Sequence, residues 1–134
     1  VSPQNPFEEP LRLIGYWSGG YGTNDWPDAR DFVDDGWDDE ERIDVGLYLR
    51  RGLVARAWMG YSSCRLCGNA TNGCLDLTDG VYLWPEGLAH YVLDHKVRLP
   101  RQFVDHVHAR EELADDVRVD ESWWRSVEPP TASS

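Results

Sequence analysis

The chain has 134 residues, 41% hydrophobic and 12% aromatic, with 7 tryptophans and a formal net charge of -11. That length suits one domain with one core, and so many aromatics exclude a disordered chain. With 24 acids against 13 bases, a broad phosphate-neutralising face is not expected, and no apolar run is long enough to span a membrane.

Residues 1–10, VSPQNPFEEP, carry three prolines and read as an extended arm, without the basic end and apolar stretch of a signal peptide. LRLIGYW (11–17) reads as a short strand. SGGYGTND (18–25) is Gly-rich but lacks the spacing and the lysine of a phosphate-binding loop, so it reads as a turn. WPDARDFVDD (26–35) predicts one or two helical turns, with Pro27 suited to the first helical position. Asp38 and Glu41 have N-cap and N3 spacing and predict a helix over 39–51. Ile43, Leu47 and Arg50 line one side of it, Arg50 and Arg51 complement its negative end, and Gly52 takes the C′ position. Gly46 inside this helix costs ~1 kcal/mol relative to alanine.

LVARAWMGY (53–61) alternates as a strand. CLDLTD and VYLW are split by Asp79-Gly80, a two-residue hairpin signal. Pro85 and Pro100 each open a helix, PEGLAHYVLDHK and PRQFVDHVHAREELADD. The second has Phe103, Val104, Val107 and Leu113 as its apolar positions. Asp120 is placed to cap a short helix, ESWWRSV, and 128–134 form a tail. No repeat or boundary divides residues 11–127. The expected fold is a small α+β domain, in which a zinc-finger-like strand, hairpin and helix unit (about 53–103) packs against further helices.

All three cysteines lie between residues 64 and 74. An odd number argues against a complete disulfide framework, and a C-x-x-C pair without an export signal points to a reducing cytoplasm and a metal or redox role. Cys64 and Cys67 have the spacing by which one tight turn offers two sulfurs to one ion, and Gly68 suits the sharp exit. His90 and His95 follow after 22 intervening residues, at the H-x₃₋₅-H spacing of zinc fingers. Positions five apart on an ideal helix diverge by about 140°, so both imidazoles reach one ion only if the helix loosens near His95. Two alternatives stay open: Cys74 in place of one histidine, and a redox role for Cys64 and Cys67. His106 is a lesser substitute ligand, and His106 and His108 otherwise read as ordinary, partly exposed histidines.

The words MGYSSCRLCG, NG and LTDGVYLWPEGLAHYVLDHKVRLPRQFVDH, with GYW, WPDARDFVD and YLRRG upstream, resemble a group of small actinobacterial and myxobacterial proteins. Their shared pattern runs C-R-x-C-G, N-G, then T-D-G-x-Y-x-W-P-E-G-L-x-H-Y-x-x-x-H-x-V-x-x-P-x-x-F-V. The resemblance covers roughly residues 14–108. It implies Cys64, Cys67, His90 and His95 as the ligand set, leaves Cys74 outside the pattern, and implies no particular activity.

Residues 25–44 hold ten acids and two arginines, which is -8 of the total -11. A calcium loop is excluded: with Gly36 in sixth place, Val33 stands where the third-position acid belongs and Arg42 where the closing glutamate belongs. The segment reads either as a solvated acidic loop or as a docking surface for a basic protein, through Trp26, Asp34, Asp35, Trp37, Asp38 and Asp39.

The leading functional expectation is a non-enzymatic module held by structural zinc, with an acidic docking surface, such as an immunity protein, antitoxin or regulator. The alternative is a zinc-dependent hydrolase, with Glu86 as a base if one ligand were missing. The third is a nucleic-acid-binding finger, disfavoured by charge and by a ligand helix without base-reading side chains.

Overall fold

A computed structural model describes residues 9–19, 25–115 and 117–130. Most of the expected N-terminal arm and Gly-rich turn therefore lies outside the described residues. Among the described residues the order is β1 (Arg12–Leu13), a 3₁₀ turn (Ala29–Phe32), α1 (Asp39–Arg50), β2 (Leu53–Ala57), β3 (Leu75–Thr78), β4 (Tyr82–Pro85), α2 (Leu88–His95), α3 (Arg101–Asp115) and α4 (Ser122–Arg125). The strands form one sheet in the order β1-β4-β3-β2, antiparallel except that β1 runs parallel to β4. The fold is α+β, as expected.

α1 starts where its cap dictates: the Asp38 carboxylate accepts the Glu41 N–H at 2.9 Å. Its buried face differs from the expected one. Val45, Gly46 and Leu49 are buried, whereas Ile43 and Leu47 face outward. Gly46 explains the rotation. A Cβ built there would overlap Leu93, so the glycine lets α2 approach α1 closely. Arg42 closes the same seam by donating to the Leu93 carbonyl. Gly52 does follow the helix, but not in left-handed backbone; the Trp84 ring and Leu77 occupy the space where its Cβ would lie.

The 3₁₀ turn is capped by Asp28, which accepts the Arg30 N–H, so Pro27 precedes the helical turn instead of opening it. β3 and β4 form the expected hairpin, but three residues (79–81) separate the strand ends instead of two. The Asp79 carboxylate accepts the Val81 and Tyr82 N–H groups and holds this wider turn. Pro85 ends β4 and does not open α2. The Glu86 N–H bonds to Leu75, so the Pro85 nitrogen points to the other side, beyond the two residues of β1. α3 begins directly after Pro100, as expected; Phe103, Val104 and Val107 are buried, but Leu113 lies past the end of the core and is exposed.

The core gathers Trp17, Trp37, Val45, Leu49, Trp84, Leu88, Val92, Phe103 and Val107. Trp84 is central. Its ring meets Tyr48 and Phe103, and its N–H donates to the Leu49 carbonyl at 3.0 Å. β4 is thereby locked to the last turn of α1, and α2 leaves the sheet from a rigid base. No described helix is long and apolar enough to cross a membrane.

Candidate metal centre

Residues 64–69 form a tight knuckle: the Cys64 N–H bonds to the Asn69 carbonyl, and the Gly68 N–H bonds to the Cys64 carbonyl, each at 2.9 Å. Gly68 has φ +74°, a left-handed conformation that a side chain would strain. The turn therefore presents both sulfurs on one side. α2 presents the histidines. His95 is its last residue, and Lys96 takes left-handed backbone with φ 55°. The helix ends where the spacing required it to loosen.

One ligand atom each from Cys64, Cys67, His90 and His95 lies within 4.8 Å of all the others. The His90 and His95 Nε2 atoms are 3.1 Å apart, and Cys67 Sγ lies 3.4 Å from His90 Nε2. Asp94 orients His90, with its carboxylate 2.7 Å from Nδ1, so Nε2 faces the cluster. Tyr91 positions the knuckle by accepting the Arg65 N–H at 2.7 Å. The Asn69 backbone N–H, then His90 and His95, hold the Cys67 thiol down to about 6, so its thiolate forms at neutral pH. Two thiols and two imidazoles converging on one point could hold a metal ion. Cys64 is buried, Cys67 is exposed and the histidines are half-buried, which places the cluster at the surface.

The other candidates lie elsewhere. Cys74 is outside the cluster: its N–H donates to Glu86 and its carbonyl accepts from Trp58. Glu86 is thus engaged with backbone. All three cysteines are free thiols. His106 lies 2.7 Å from the Asp79 carboxylate and His108 lies 3.0 Å from Glu41, so both join helix α3 to its neighbours.

The acids of this segment stay at the surface, with Asp28, Asp34 and Glu41 half-buried and the others exposed, while Trp37 is turned inward. Trp37 is only 3% exposed, and its N–H donates to Glu41 at 2.8 Å. Asp34 pairs with Arg98 at 2.9 Å and also accepts the Gly36 N–H; Asp38 is the α1 cap; Asp39 reaches Arg42 at 3.3 Å. Asp35 is exposed, and Trp26 sits at the surface edge-on to Tyr16. Of the residues read as a docking patch, Trp37 is thus in the core, Asp34 is half-buried, and Trp26, Asp35, Asp38 and Asp39 are exposed.

Sequence reasoning missed a second polar centre. Asp76, 2% exposed, accepts the Tyr16 O–H and Trp58 N–H, each at 2.7 Å, and the Arg56 Nε–H at 3.0 Å. Burial, then the Asp76 carboxylate, pushes the Tyr16 hydroxyl far above its ordinary range. No spacing marks this centre, because it joins β3 to β2, to the residue after β2 and to the segment that follows β1. Beside it lies a cavity of about 220 Å³ with walls that include Trp17, Trp26, Trp58 and Tyr91; none of the four cluster residues lines it. Comparison with known proteins returned no matching family model, curated protein or solved structure.

Proposed function

We propose that the chain is a non-enzymatic interaction module in which one structural zinc ion joins the cysteine knuckle to α2. The carrying observation is the convergence of two sulfurs and two imidazoles. With Zn–S about 2.3 Å and Zn–N about 2.0–2.1 Å, ligand atoms around a tetrahedral ion stand roughly 3.3–3.8 Å apart. The separations of 3.1 and 3.4 Å fit after shifts of a few tenths of an ångström, and the remaining pairs, all within 4.8 Å, close by at most about 1 Å. Four protein donors fill the tetrahedron and leave no position for a catalytic water.

The partner in this reading is a basic protein, and its docking surface is the outer face of α1. There Glu40, Ile43, Asp44 and Leu47 follow one another at helical spacing, and all are exposed. The apolar pair supplies contact area, and the acids supply attraction over a Debye length of about 8 Å at physiological salt.

Metal analysis of the purified chain tests the zinc. One zinc per chain is expected, lost in Cys64→Ser, Cys67→Ser, His90→Ala and His95→Ala and kept in Cys74→Ser. Chelation is expected to speed amide exchange first across residues 58–73, where Cys64 and Asn72 alone are buried. Full zinc in Cys64→Ser would reject the site, and unchanged exchange after chelation would reject its structural role.

A further inference from the structure

Two segments of this chain are exposed at every residue: 53–63, which holds β2, and 117–130, which follows α3. The first carries Leu53, Val54, Trp58, Met59 and Tyr61. The second carries Val117, Val119, Trp123, Trp124 and Val127. Both are apolar surfaces of the kind that isolated soluble chains avoid. β2 is an edge strand that pairs with β3 alone among the described strands, so its other edge offers unpaired backbone groups.

The structure assigns the occupant of this edge: the C-terminal arm of a second copy. Four observations converge. The arm holds a four-residue helix capped by Asp120, with both tryptophans exposed. So short a helix does not persist in water without a surface to pack on. Val117-Arg118-Val119 alternates apolar and polar, which suits addition to a sheet edge. The two segments also begin side by side, since Leu53 and Ala114 line one cleft of about 200 Å³ and Arg51 pairs with Glu111 at 3.6 Å. A two-fold exchange can therefore send each arm across to the other copy's edge. Finally, the charges match. Residues 50–61 hold Arg50, Arg51 and Arg56 and no acid, whereas the arm has Asp120, Glu121 and Glu128 against Arg118 and Arg125. Arg51 and Arg56 also pair with Glu111 and Asp76 within the chain, so the match is that of an acid-free edge with a net negative arm.

In the exchanged dimer Val117–Val119 extends the sheet beyond β2, and Trp123 and Trp124 cover Trp58, Met59 and Tyr61. Large aromatics bury about 150–250 Å² each, so the contact made twice reaches the ~1,200–2,000 Å² of stable interfaces.

Sedimentation of the 134-residue chain across the micromolar range tests this. A species of twice 15.4 kDa is expected. Trp123→Ser with Trp124→Ser, and separately Met59→Asp, should each weaken the dimer at least ~30-fold. These side chains are exposed in the single chain, so circular dichroism should stay native. A chain that is monomeric at every concentration overturns the exchange. So does a dimer that ignores both changes, or one lost in Met59→Asp but kept without the tryptophans, which would be a patch-to-patch dimer.

Discussion

Trp37 shows how one side chain changes meaning between sequence and structure. In the sequence it stands among acids and reads as an interface anchor. In the fold its ring is in the core, beneath the Arg98 guanidinium 5.8 Å from the ring centroid, and its N–H is spent on Glu41. Trp37→Ala is therefore expected to destabilise the chain by about 3–5 kcal/mol, as truncation of a buried tryptophan does, with denaturant unfolding as the measurement. Glu40→Gln with Asp44→Asn, on the exposed face, should leave the unfolding midpoint nearly unchanged. That pair should instead slow association with a basic partner and flatten its salt dependence. If the two outcomes were reversed, the docking surface would lie around Trp37 after all.

At the scale of elements, the packing of α1 on α2 decides between two opposing effects. Alanine favours a helix interior over glycine by about 0.8–1.0 kcal/mol. At Gly46, however, the added methyl would meet both the Cγ and the Cδ atoms of Leu93, which a rotamer change alone does not clear. Overpacking of this kind costs about 1–3 kcal/mol. Gly46→Ala is expected to lower stability by roughly 1 kcal/mol net. Because α2 carries His90 and His95, the same change should weaken the proposed zinc binding, read by chelator competition. A stabilised Gly46→Ala chain would show that α2 yields easily and that the seam does not position the site.

For the whole molecule, acid is the stress that the charge distribution selects. Asp79 is half-buried, and that burial opposes its ionisation. Hydrogen bonds from Tyr48, the Tyr82 and Val81 amides and His106 outweigh it, so the carboxyl sits below its ordinary 3.8. Glu41, held by Trp37, His108 and Arg101, and Asp34, held chiefly by Arg98, are lowered too. A depressed folded-state pKa contributes stability that is present above the unfolded value and is lost as pH falls through the folded one. Stability should therefore decline below about pH 4. By the same rule the Cys67 thiol, lowered from 9.0 to about 6, contributes stability that is lost earlier, as pH falls from 9.0 through about 6. Denaturant midpoints measured from about pH 9 downward should show both steps. Asp79→Asn should flatten the lower step and leave the upper one, and a chain whose midpoint is constant through both windows would contradict this assignment.

What the sequence by itself determined was local: the Asp38 cap, the Pro100 start of α3, the hairpin around Asp79-Gly80, and the spacings that bring Cys64 to Cys67 and His90 to His95. Each depends on atoms a few residues apart, so chain order encodes it directly. Asp94 went unread in the sequence although its signal is local: it stands one helical turn after His90, where a carboxylate can orient the ring. Tertiary structure decided the rest. It turned Val45 and Leu49 inward in place of Ile43 and Leu47, because only the Gly46 face admits Leu93. It placed the Trp37 ring in the core beneath Arg98, and joined Asp34 to Arg98 and Glu41 to Arg101 and His108, residues more than fifty positions away. It left Cys74 outside the cluster and gathered Tyr16, Arg56 and Trp58 on Asp76. These outcomes depend on which surfaces meet when the sheet and helices close on one core, and no local spacing records that choice.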